Sequence, residues 1–210
     1  MEKISDAAEA VESAESQEKA IKLKVSEKRF IGRIMAVNAL FQIKVGGVEL
    51  KDARENAFSS IDSEFLEHMF AEYDKEKLLY VVNELGYIES YLKDEDFIRF
   101  VHSIVDGVYE HSEELEKIID DRLVNWQYLE IGNTEAVILK IAVFEMLYGG
   151  NIYDIVPEVA IEQAVRLGKL FCYKEGGKFI NGVLASVYKD MKAGAFERND
   201  DGNSEDVVRQ

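Results

Sequence analysis

Near the N-terminus Lys19, Lys22, Lys24, Lys28, Arg29 and Arg33 crowd into one short segment, opposed there only by Glu27. Cations at this density can neutralise phosphates and release the counterions that a nucleic acid carries. The same residues could equally be the solvated face of a helix. The rest of the chain argues against unspecific nucleic-acid binding, because its formal net charge is −16. Where the charge lies matters more than the sum, so a local cationic patch on an acidic body is a coherent RNA site.

Other chemistries find little support. His68, His102 and His111 lack the paired spacing of metal ligands, and Cys172 is the only cysteine. No metal or cofactor is therefore expected. No glycine-rich loop is followed by Lys-Ser or Lys-Thr, which excludes a P-loop. Gly176-Gly177 precedes a helical pattern, but two glycines read more simply as a loop. No Ser-His-Asp or Cys-His arrangement stands out, and carboxylates are too abundant for a catalytic pair to be singled out. The reading is of a protein that is not an enzyme.

The elements that position these residues read as helices throughout. There is one proline in 210 residues, and 47% of them are hydrophobic. Ser26 is placed to cap a first helix whose face carries Phe30, Ile34, Val37 and Phe41, ending at Gly46-Gly47. Phe65, Met69, Leu78, Leu79, Val82 and Leu85 mark one or two more, broken at Gly86. Phe97 to Val108 forms another. Ser112 can cap the next, through Leu115, Ile118 and Ile119 towards Trp126. Asn133 or Thr134 can cap a helix ending at Gly149-Gly150, and Pro157 suits the first turn of its successor. Gly176-Gly177 separates that one from the last. Asn181 and Gly182 interrupt the last helix's apolar run, which predicts a tight helix crossing with a buried amide.

Residues 1–24 read as an acidic extension, 25–191 as the folded domain and 192–210 as an acidic tail. No apolar run appears long enough to span a bilayer, and the N-terminus lacks a signal peptide's apolar core. A cytoplasmic protein without membrane contact is expected.

Several blocks together resemble the NusB family of transcription antitermination factors. They are Lys28 to Arg33, Ala36-Val37-Asn38-Ala39-Leu40-Phe41-Gln42, Val105-Asp106-Gly107-Val108, Trp126, Glu135 to Lys140, Ile161-Glu162-Gln163-Ala164 and Phe179-Ile180-Asn181-Gly182-Val183-Leu184. The resemblance implies an all-α, NusB-like fold of two small helical bundles packed together, 25–125 and 133–191, with an insertion at about 73–94. Leu139, Ile141, Phe144, Leu147, Ala164, Phe179 and Leu184 then read as core, and Trp126 as a packing residue. This chain departs from the family pattern in its thinner basic segment and in Glu130, Ala136 or its neighbour, and Lys140, which stand where arginines are usual.

The function so implied is binding of single-stranded boxA-like RNA in ribosomal-RNA transcripts, together with the ribosomal protein NusE, in a complex that keeps RNA polymerase from terminating early. Lys28, Arg29, Arg33 and Asn38 would contact the RNA. Phe30 would either stack on a base or join the core. Glu175 falls near the family's RNA and partner surface, though it also reads as a plain loop carboxylate. A homodimer that masks the RNA surface is a further implication. The alternatives are a NusB-fold adaptor that has lost RNA binding, and the accessory domain of an RNA methyltransferase. For the latter the chain has no room for a catalytic domain.

Overall fold

The computed structural model describes residues 26, 28–59 and 91–196. The expectations for residues 1–24, for helices through Phe65 to Leu85, for most of the 73–94 insertion and for the tail from 197 onward fall outside these. Among the described residues the protein is all-α, without a strand. The helices are α1 (28–46), α2 (Leu50–Ser59), α3 (Glu95–Glu110), α4 (Ser112–Asp120), α5 (Asn133–Tyr153), α6 (Pro157–Phe171) and α7 (Gly176–Lys192), with a short 3-10 turn at Tyr128–Glu130.

Helix α5 organises the rest. From Ala136 to Met146 every residue is buried. A helix that is apolar on all sides must be covered on all sides. Its neighbours are α3, α4, α6 and α7, with the most extensive packing against α6. By length and apolarity α5 could cross a bilayer, contrary to the sequence expectation, but 67% of that stretch is buried inside the protein. It is the core helix of a helical stack. The buried side chains form one continuous cluster from Phe30 and Ile34 on α1, through Phe100 and Ile104 on α3 and Leu139 and Ile141 on α5, to Leu184 and Val187 on α7. The expected core residues Leu139, Ile141, Phe144, Ala164 and Leu184 are buried, with Leu147 and Phe179 packed at its edge.

Several helix ends differ from the sequence expectation. Ser26 is itself helical, so it does not cap α1. Gly47 does end α1, at a φ of 63° that an L-residue adopts with strain. His111 takes the capping position of α4, and Ser112 lies inside the helix. Gly132 precedes α5, which has no side-chain cap. The same helix runs through Gly149-Gly150 and stops at Asp154, whose backbone is left-handed. Gly149 instead lets the returning chain approach, since a Cβ there would stand 3.1 Å from Ile155.

The glycines of α7 also reverse the expected roles. Gly176 and Gly177 do not separate α6 from α7. They form the first turn of α7 and are buried against α6, where a Cβ on Gly168 would stand 3.2 Å from the Gly177 Cα. This is the tight crossing. Asn181 and Gly182 are exposed, and a Cβ on Gly182 would meet nothing. The helix turns its larger apolar residues Ile180, Val183 and Leu184 inward, and the amide and glycine occupy the opposite face.

This division gives a stability test. Gly182→Ala should stabilise the fold by about 0.5–1 kcal/mol, since alanine costs less helix entropy and meets no neighbour. Gly107→Ala should destabilise it by about 1–3 kcal/mol, because the new methyl would run into the Phe144 ring. Urea denaturation of both variants reads the two signs.

Candidate nucleic-acid interface

Arg29 and Arg33 lie four residues apart on α1 and so share a helix face. That face looks onto Phe100 of α3 and the end of α5, and the two guanidiniums have different surroundings. Arg33 is only 2% exposed. Its Nε donates to both carboxylate oxygens of Glu145 on α5, at 3.0 and 2.9 Å. Glu145 is equally buried, and the guanidinium carbon lies 5.3 Å from the Phe100 ring centre. A phosphate could reach Arg33 only by opening this core. The expectation that Arg33 contacts RNA is therefore corrected: it ties α1 to α5.

Arg29 sits one turn nearer the helix start and is half-buried. Its guanidinium lies over the rings of Phe100 and Tyr153, at 5.7 and 5.9 Å. Among the described residues it makes no hydrogen bond or ion pair. Burial, and next the neighbouring charge of Arg33, push its pKa below the usual arginine value. A cation held this way gains from any anion that approaches it. Lys28 points elsewhere, to Asp94 at the start of α3 and over the rings of Tyr91 and Phe97. That lysine holds the Asp94 carboxyl below its ordinary range. Lys28 is thus already neutralised, though its side chain remains 24% exposed.

Asn38 and Glu175 are on other surfaces. Asn38 accepts a 3.4 Å hydrogen bond from Gln42, which in turn accepts one from Asn56 of α2 at 3.0 Å. These amides stitch α1 to α2. Glu175 is exposed at the start of α7, with Lys178 at 2.8 Å. Phe30 is core, only 4% exposed, with the Arg166 guanidinium 3.8 Å from its ring centre. It has no face left for a base.

A pocket of about 220 Å³ opens beside Arg29, where the start of α1 meets the α5–α6 turn. Ser26, Arg33, Asp154, Val159 and Gln163 also line it. Gln163 is 3% exposed. Sequence reading noted it only as part of the family block Ile161-Glu162-Gln163-Ala164, because an amide on a helix is an unremarkable signal until its burial is known.

A second surface carries apolar groups. Trp126 is 58% exposed, which overturns its reading as a packing residue, and Val124 and Leu129 stand out beside it in the same loop. Tyr128 is the residue of this loop that packs inward, its ring near Lys44 and Lys140. Those two lysines line a groove of about 700 Å³ with an apolar floor of Leu40, Ile43, Val108 and Val137. Glu110, Glu113 and Glu114 form its acidic rim.

The histidines that lie among the described residues serve structure. His102 faces Arg54 of α2 at 3.0 Å, with Asp106 paired to the same arginine. Burial first, then Arg54, hold His102 below its ordinary pKa. His111 stacks on Tyr148 and faces Glu114. Among the described residues no cluster of His, Cys, Asp and Glu could hold a metal ion. Burial pushes the Cys172 thiol up to about 12, which leaves it a poor nucleophile.

Residues 31–189 match the model of the NusB family. The chain is 32% identical to the transcription antitermination protein NusB of Thermus thermophilus over 79% of this chain and 93% of that protein. It is also 32% identical to that of Bacillus subtilis, over 79% and 98%. Among solved structures it resembles NusB of T. maritima, with a TM-score of 0.56 and 20% identity over 77% of this chain and 91% of the other. It also resembles a chain of a complex of the antitermination factors NusB and NusE with double-stranded RNA. There the TM-score is 0.51 and the identity 22%, over 78% and 97%. Identities this low show a shared fold.

Glu145→Ala would leave the Arg33 guanidinium charged and unpaired in the core, and should cost roughly 3–5 kcal/mol. A urea midpoint equal to that of the unchanged protein would remove the pair from its structural role.

Proposed function

The chain belongs to the NusB family of transcription antitermination proteins, and we propose that it acts by binding single-stranded boxA-like RNA of ribosomal-RNA transcripts together with the ribosomal protein NusE. The pair would then join the complex that keeps RNA polymerase from terminating early. The protein would work in the cytoplasm, by binding and without catalysis.

One observation carries the RNA half of this reading. Arg29 is a half-buried cation over two aromatic rings, with no hydrogen bond or ion pair to the protein's own groups among the described residues. Lys28 adds a second, weaker contact. The acidic body repels RNA, so tight binding requires a basic partner. The partner half rests on the exposed Trp126 loop and on the groove lined by Lys44 and Lys140. Their apolar area and glutamate rim suit a cationic protein surface. NusB and NusE occur together with RNA in one of the structures that this chain resembles in fold.

The runner-up, an adaptor that binds only protein, draws on the pairing of Lys28 and Arg33, which leaves Arg29 as the unpaired cation of that segment among the described residues. Measuring boxA RNA binding with and without NusE, at two salt concentrations, decides between them. Salt-sensitive binding that tightens with NusE supports antitermination. NusE binding with no RNA affinity in either state supports the adaptor.

Arg29→Ala should weaken RNA binding and reduce the slope of log affinity against log salt by about 0.7, the value for one phosphate on a single strand. Binding measured across a salt series gives both numbers, and an unchanged slope would remove Arg29 from the site. Trp126→Ala should weaken NusE binding by about 2 kcal/mol while leaving thermal stability intact, as expected of an exposed anchor. Calorimetry with purified NusE reads the first and a melting curve the second.

A further inference from the structure

Helix α2 is held by little apolar surface. Its buried apolar residues are Ala53 and Ala57, with Leu50 and Phe58 partly buried beside them. Alanine brings a small area to an interface, so the polar contacts of α2 weigh more. One is the bond from Asn56 to Gln42 of α1. The other lies on α3. There Arg54 Nη2 donates to His102 Nδ1 at 3.0 Å, and Arg54 Nη1 stands 3.4 Å from an Asp106 oxygen. The Phe58 ring meets the imidazole edge to face, with centres 5.3 Å apart. A guanidinium carries donors only and keeps its proton. His102 must therefore accept through a bare Nδ1, which makes the imidazole neutral with its hydrogen on Nε2. A second proton has no place on Nδ1 while Arg54 donates there. Asp106 supplies the alternative partner. It lies four residues on from His102, on the same face of α3, and its Oδ1 is buried without a hydrogen bond among the described residues. An imidazolium can donate to that oxygen.

We propose that His102 is a proton-operated latch for α2: neutral, it accepts from Arg54 and holds the helix; protonated, it turns to Asp106 and lets α2 go. The inference stands independently of the RNA reading. Among the described residues the charges that act on His102 are Arg54 from α2 and Asp106 from its own helix, and Glu110 acts in turn on Asp106. His102 has its value lowered in the fold, by burial and then by Arg54. Its contribution is therefore whole above the ordinary histidine value of about 6.5 and is lost as pH falls through the lowered one. Asp106 is raised, first by burial. Its contribution has the opposite sign, present below the ordinary aspartate value and lost as pH rises through the raised one. Loss of α2 on acidification thus identifies His102 and not Asp106.

The test uses the full chain and two variants. His102→Gln keeps an oxygen that accepts from Arg54 but takes no proton. Arg54→Gln gives an amide that can donate to the neutral ring and accept from the charged one. Ring-nitrogen NMR follows His102 as pH falls from about 8 to about 5, a range that brackets the ordinary histidine value. Hydrogen exchange, corrected for intrinsic amide chemistry, follows α2 and α5 over the same range. In the unchanged protein the protection of α2 should fall about tenfold or more as His102 titrates, the scale of a hydrogen bond to a charged group, while α5 keeps its protection. In both variants the fall should vanish. If the ring titrates while α2 stays protected, or if it stays neutral to the acid end, the latch is overturned. A fall that persists in either variant overturns it too, because the proton then acts elsewhere.

Discussion

A charge taken into an apolar interior must find its opposite there, and α5 carries two. Lys140 and Glu145 interrupt an otherwise buried apolar run, and each reaches out to a different element. Lys140 donates to Ser112 and Glu116 of α4, while Glu145 receives Arg33 of α1. Hydrophobic burial alone would let these helices slide, because one apolar contact resembles the next. The two charges permit only the register in which both are answered. Helix α1 is thereby held with Arg33 inward, and the position of Arg29 follows from that.

The consequence for function is a division of labour along one turn of helix. Four residues separate a guanidinium that the fold consumes from one that it leaves over. Arg33 lies deep enough to meet Glu145, and Arg29 lies just outside its reach, on the rings of Phe100 and Tyr153. Aromatic faces favour a cation without neutralising it. The charge therefore stays available to an external anion while its direction is fixed. A flexible surface lysine would offer the charge without the direction.

Acidity elsewhere becomes intelligible with the proposed partner surface in view. Glu110, Glu113 and Glu114 at the rim of the groove are exposed, and so is Trp126 on its loop. Such a surface repels RNA and attracts a cationic protein, so binding of the two ligands would be separated in space on one small molecule.

The all-helical class, the core positions of α5 and the family were legible in the sequence, because helical periodicity and a motif such as Phe179 to Leu184 are properties of local order. The cationic segment was legible as a patch. Which of its members are free was not. Arg29 and Arg33 are the same residue type on the same face, and only Glu145, more than a hundred positions away, distinguishes them. Asn181-Gly182 read as the tight crossing, and Gly176-Gly177 as the separator between two helices. Helix orientation decided that the first would face water and the second would make the crossing. Trp126 read as a packing residue from the family resemblance, yet it is exposed, while Tyr128, two residues on, is buried. Local sequence fixes which side chains exist and what period they follow. The partner each one meets is set by contacts between distant segments, and only the tertiary structure supplies those.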